Sequence, residues 1–216
     1  MQTIDIIRYG NPTKYQQKRI EEEDELTARL FRAGLYKEIL NQPPPLNSSI
    51  QTQQELNDIV LKVNSLTDKQ KKFCKRAEHD MYGLYVSLLR KHGINKYTRI
   101  DFENFFDKTD PFLFRIKYFY NRPRPYQLAV YLQPDLYLPI KTYTTITPAY
   151  PSGHAFEATL LSLLLSRHYP KLRKELMKLA KNISASRMYI GVHYKSDCIF
   201  GIKLARLVVD YVDDLK

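Results

Sequence analysis

Apolar residues recur along this chain at steps of three and four, the spacing that lines one face of a helix, and no alternating strand pattern of useful length interrupts them. The clearest run places Phe73, Ala77, Met81, Leu84 and Leu88 on one face, and it predicts a helix capped by Thr67 and Asp68 that continues to Lys91 and ends at Gly93. Upstream, a helix is expected from about Pro12 to Leu40, with Thr13 as its cap and the prolines at 43 to 45 as its stop, followed by another over 51 to 63. Residues 101 to 120 read as helical and aromatic-rich, interrupted near Asp110 and Pro111, and the Asn-Arg-Pro-Arg-Pro run at 121 to 125 forces an extended exit. A loop marked by Pro134, Pro139, Pro148 and Pro151 then leads to helices over about 153 to 169, from Pro170 to about 186, and over 195 to 214. Glycine is scarce, at 7, and repeats and low-complexity tracts are absent. The expectation is an all-α fold in a single domain over residues 1–216.

Composition narrows the class. At 216 residues with 44% hydrophobic and 26% charged residues, the chain has ordinary globular usage and enough length for one sizeable core. The apolar stretch from Leu160 to Leu165 is broken by Ser162 and falls far short of the ~20 residues that a spanning helix needs. The opening residues lack a basic segment followed by an apolar one, so no secretory signal is expected, and a cytoplasmic protein with no integral membrane part is the reading. Cys74 and Cys198 stand in no metal-ligand spacing and read as small buried hydrophobes. The net charge of +11 raises the local concentration of anions. The basic residues are scattered and carry no nucleic-acid motif, so the anion expected is a small phosphorylated molecule, with no nucleic-acid partner; self-association is left open.

Three segments concentrate residues suited to a phosphate. Lys117 and Arg124, followed by Pro125, place a point charge on a helix and a planar fork in its extended exit. In the run from Pro151 to His154, Ser152 can cap a helix and leave the Gly153 and His154 amides at its N-terminus, where an anion is favoured and where Gly153 admits close approach. Downstream come Ser186, Arg187, His193 and Asp197. Asp197 lies one helical turn beyond His193, where a carboxylate can accept an imidazole N–H and fix the tautomer. Arg187 and His193 are six residues apart, about 240° around a straight helix, so they converge only if the backbone breaks. Gly191 offers the break.

Taken together, these segments resemble the three-part pattern of the type 2 phosphatidic acid phosphatase superfamily, which includes bacterial class A acid phosphatases, lipid phosphatases and vanadium haloperoxidases. The resemblance covers residues 117 to 197 and implies a helical bundle of the class A acid phosphatase and haloperoxidase type. It implies metal-independent hydrolysis of phosphate monoesters, or phosphotransfer, with His193 as nucleophile, Asp197 as its orienting partner and His154 as general acid and base. Lys117, Arg124, Ser152, Gly153 and Arg187 would hold the phosphate oxygens. No cofactor is implied, and vanadate is expected to bind as a phosphate analogue. Arg122, also followed by proline, falls outside the spacing and is expected to form a salt bridge nearby. Tyr150 and the aromatic run from Tyr118 to Tyr120 are candidate pocket walls, though such rings are more often core. Three other readings compete: a vanadium-dependent haloperoxidase, a lipid phosphate phosphatase acting at a membrane surface, and an inactive phosphate-binding module.

Overall fold

A computed structural model describes residues 3–132 and 135–215, and among them all regular structure is helical. Pro134 lies outside the described residues. Helices α1 (Lys14–Glu21), α2 (Glu25–Arg32) and α3 (Leu35–Leu40) replace the one long helix expected before the proline stop. Local chemistry explains the breaks. Thr13 and Gln16 close a capping box on α1, the Asp24 carboxylate accepts the Thr27 amide at 2.7 Å to start α2, and Gly34 turns the chain at φ 72°. Next comes α4 (Ile50–Asn64), close to the span expected.

The helix expected to run from Asp68 to Lys91 is divided into α5 (Asp68–His79) and α6 (Met81–Lys91). Asp80 ends one and caps the other, its carboxylate accepting the Gly83 amide at 3.1 Å. Local side-chain bonding by Asp thus outcompetes the apolar periodicity that runs across the break. Helices α7 (Arg99–Asp107) and α8 (Asp110–Tyr120) part near Pro111 as expected. The chain leaves α8 through Asn121 at φ 48°, but the proline-rich exit is brief. Pro125 opens α9 (Pro125–Leu132), which the sequence reading had taken for loop. A proline with preset φ suits a first helical position, and the Gln127 side chain caps the Arg124 amide at 2.8 Å.

The last three helices form the centre. Helix α10 (Gly153–His168) is apolar nearly all round and packs against α11 (Arg173–Tyr189) and α12 (Lys195–Val208). Pro170 starts a short 3-10 turn rather than α11 itself, and α12 stops six residues before the expected end at 214. Leu160, Leu161, Leu164 and Leu165 of α10 are all fully buried, each worth roughly 1.5–3 kcal/mol in transfer from water. The main core spreads from these to α2, α3 and α5 to α8. A smaller cluster joins Leu56, Ile59 and Val63 of α4 to Leu128 and Ala129 of α9 and to Tyr194. That packing brings α4 beside the start of α12. Tyr150 stacks on Phe200 at 4.6 Å and belongs to the core, as do Cys74 and Cys198, both buried free thiols.

Candidate active site

The three sequence segments meet at one cavity of about 290 Å³, whose wall includes Lys117, Arg124, Gly153, His154 and His193. A roomier cavity of about 450 Å³ between α2, α7 and the C-terminal residues contains none of the motif residues. Each element delivers its side chain for a local reason. Lys117 stands in the last turn of α8 and Arg124 just before Pro125 opens α9. Gly153 and His154 begin α10, presenting amides for which the helix itself has no acceptor. Beyond Tyr189 the chain turns through Gly191 at φ 74°, and this carries His193 back toward Arg187. The break expected at Gly191 is therefore present.

His193 is 2% exposed and held at both ring nitrogens. Its Nε2 lies 2.9 Å from Arg124 Nη1 and its Nδ1 lies 3.2 Å from Asp197 Oδ2. Arginine can only donate, so Nε2 accepts and the ring proton resides on Nδ1, facing the carboxylate. His193 and Asp197 do not meet along a helix face, as their spacing had suggested. His193 precedes α12, and Asp197, in the first turn, reaches back to accept both the ring and the Tyr194 amide, the latter at 2.9 Å.

All three cations are buried, and two of them, Lys117 and Arg124, are tied to the backbone. Lys117 Nζ donates to the Pro148 and Pro151 carbonyls at 2.9 and 2.7 Å. Arg124 donates to the carbonyls of Thr147 and Val192, both at 2.9 Å. Arg187 forms a 2.6 Å ion pair with Glu78, which also holds the Tyr143 and Thr144 amides at 2.8 and 3.1 Å. Arg187 and Asp197 stand behind the cavity wall. Ser152 is fully buried, and its hydroxyl accepts the Ala155 amide at 3.4 Å, so it serves α10 as the expected cap.

Burial drives the electrostatics. It pushes His193 and His154 well below the usual histidine range, with Arg124 adding to the effect at His193 and Arg187 at His154. Both rings are therefore neutral near pH 7. Burial lowers Lys117 and takes Arg124 down to about 10, and it raises Asp197 to about 6 against the pull of Arg122. At the outer wall burial lifts Glu157 to about 7 and Asp110 to about 6. Glu78, by contrast, is held down at about 2, the Arg187 charge and amide hydrogen bonds overcoming its burial. Lys117 and Arg124 line the cavity and Arg187 lies behind its wall, a field that suits a multiply charged oxyanion.

Comparison with known proteins fits this geometry. Residues 109–212 match the model of the PAP2 superfamily. That match spans just under half of the chain and takes in all three phosphate-suited segments. A non-specific acid phosphatase of Salmonella typhi is 38% identical over 64 residues, a stretch covering 27% of this chain and 26% of that protein, so the chain matches only about a quarter of that relative's length. The fold is similar to the crystal structure of a transmembrane PAP2-type phosphatidylglycerolphosphate phosphatase from Bacillus subtilis, with a TM-score of 0.50 and 16% identity over 86% of this chain and 92% of that one. That likeness corrects the cytoplasmic assignment. Among the described residues no helix is long and apolar enough to cross a membrane, yet a similar fold occurs in a transmembrane protein, so the fold alone assigns no compartment.

Sequence reading missed two residues of the site. Glu78, from α5, carries no motif signal, and its partner Arg187 is 109 residues away. Arg122 does form the expected salt bridge, but its partner is Asp197 itself, at 2.6 Å.

Proposed function

We propose that this chain is a phosphatase that hydrolyses phosphate monoesters through a phosphohistidine on His193, without a metal ion. The observation that carries the reading is the tautomer of His193: its Nε2 lone pair lies on the cavity side among Lys117 and Arg124, while its proton is engaged by Asp197. In the first step Nε2 attacks phosphorus in line, the N–P bond forms and the P–O bond to the leaving oxygen breaks. His154, neutral in the free protein, takes up a proton when the negatively charged phosphate ester binds and gives it to that oxygen, a role worth about 10²–10⁴-fold in rate. In the second step His154 takes a proton from water, the water oxygen attacks phosphorus and the N–P bond breaks, restoring His193 and releasing inorganic phosphate. Arg124 exchanges its contact with Nε2 for a phosphoryl oxygen, and Lys117, Arg187 and the Gly153 amide stabilise the charge that develops on the others. The Ser152 hydroxyl, now a helix cap, would reach the phosphate only by leaving the Ala155 amide.

The test is phosphate release from a panel of phosphomonoesters, with and without EDTA. Hydrolysis is expected at undiminished rate in the chelator, because buried cations supply the electrostatic work of a metal. Complete loss in EDTA, restored by a divalent ion, would overturn the metal-independent step. If all esters are inert and the vanadate-treated chain instead oxidises bromide with peroxide, the haloperoxidase alternative replaces this reading.

A further inference from the structure

We propose that Arg122, clamped from the N-terminal side of the chain by Glu55 and Thr52, is a positioning residue that holds the Asp197 carboxylate ionised and aimed at His193. The inference rests on the phosphatase reading above and deepens it. Arg122 is 2% exposed, and its Nη1 donates to Asp197 Oδ1 at 2.6 Å and to Ser196 Oγ at 2.7 Å. Its Nη2 points to Thr52 Oγ1 at 3.4 Å and lies 3.9 Å from Glu55. The guanidinium also lies over the Tyr194 ring, 4.0 Å from its centroid. Glu55 completes the clamp by accepting the Ser196 hydroxyl at 2.7 Å and the Ser196 amide at 3.2 Å. Thr52 and Glu55 both belong to α4, outside the span that matches the family model.

The geometry gives Arg122 a task that packing alone would not require. Asp197 Oδ2 is shared between the Tyr194 amide and His193 Nδ1, and the contact to the ring is the longer of the two. With Oδ1 held by Nη1 of a guanidinium that Ser196 and Thr52 also engage, rotation of the carboxylate away from the imidazole is opposed. A carboxylate with no exposed surface also needs a nearby cation to remain charged. The charged and titratable groups facing the pair are Arg122 and Arg124 from the α8–α9 exit, Lys117 from α8, Arg187 from α11, His154 from α10 and, behind Arg122, Glu55 from α4. Of these, Arg122 alone makes a hydrogen-bonded ion pair with Asp197 among the described residues. Asp110 and Glu157 titrate in the same pH region from the far wall of the cavity, but Arg122 makes no ion pair with either, so variant and wild type share their contribution.

The sign follows from the chemistry. Asp197 must be ionised to hold the ring proton on Nδ1, so kcat/KM rises with pH as Asp197 loses its proton. Removing the Arg122 charge raises the Asp197 pKa, and that acidic limb moves to higher pH. For Arg122→Gln the expected displacement is about 1–3 pH units, the usual effect of an adjacent opposite charge. A folded Arg122→Gln whose acidic limb stays in place overturns the proposal. Arg122→Lys keeps the charge and loses the fork, so its limb should remain at the wild-type pH while kcat falls by roughly 10–100-fold, the scale of outer-layer partners. If Arg122→Gln does not fold, Arg122→Lys decides alone: a limb displaced upward, or an unchanged kcat, overturns the clamp. Imidazole proton NMR separates this failure from failure of the phosphatase reading. Whatever the wild type hydrolyses, its His193 Nδ1 proton should give a resonance that shifts or broadens away in the folded variant, and an unaltered resonance counts against the proposal.

Discussion

His193 and His154 are both neutral and both face the cavity, yet their surroundings prepare them for different work. The ring of His193 is fixed at both nitrogens, as a nucleophile that must attack along one line requires. His154 lies within the fields of Arg187 and Glu78, which oppose each other. His193→Ala is expected to abolish the phosphoenzyme, because the cradle offers no second nucleophile placed like it. His154→Ala should still phosphorylate His193 from an aryl phosphate, whose leaving group needs little protonation, and should then dephosphorylate slowly. Rapid quench of that variant is expected to trap an acid-labile, base-stable phosphoenzyme. Finding the phosphoryl group on His154, or formed in His193→Ala, would reverse the two roles. The residues in this scheme were legible as motifs because their spacing is local. Glu78 and Arg122 were not, since each acts on a partner far along the chain, and a carboxylate or guanidinium in isolation looks like any solvated charge.

Two backbone breaks decide what the helices present. Gly191, at φ 74°, ends the line of α11 and returns His193 to the side of Arg187. A Cβ there would be strained by the left-handed backbone and would come within 3.3 Å of Leu138. Gly191→Ala is accordingly expected to cost about 1–2 kcal/mol in a denaturant melt. It should also lower kcat by roughly 10²-fold, the penalty for reacting groups misplaced by about 1 Å. Unchanged kcat with reduced stability would show that the turn supports the fold without aiming the nucleophile. The second break, at Asp80, was hidden in the sequence because apolar positions keep step across it. Its consequence is functional: α5 ends at His79, and Glu78, one residue earlier, holds Arg187. Helix boundaries set by one polar side chain are harder to read than the periodic runs between them.

At the scale of the whole molecule, a net charge of +11 accompanies a cavity in which Lys117 and Arg124 are buried and held by backbone carbonyls. An oxyanion that binds only the folded state stabilises it by mass action, by about 2.7 kcal/mol at a concentration 100 times its Kd. Inorganic phosphate or vanadate should therefore raise the melting temperature above that in chloride at equal ionic strength, and the effect should be lost in Arg124→Ala. An equal rise in that variant would place the anion elsewhere.

The sequence by itself determined the helical class, the breaks near Pro111 and at Gly191, the cap on α10, and the three segments that meet at the cavity. All of these are consequences of a few neighbouring residues: a period, a proline, a glycine, a fixed spacing. Only the tertiary structure decided which second partners those residues have. Packing of α4 and α5 against α11 and the start of α12 set Glu55 behind Arg122 and Glu78 against Arg187. Burial then lowered His193, His154 and Lys117 below their ordinary ranges and raised Asp197 to about 6. Desolvation and ion pairing depend on what the whole chain excludes from water, and no local run of residues encodes that.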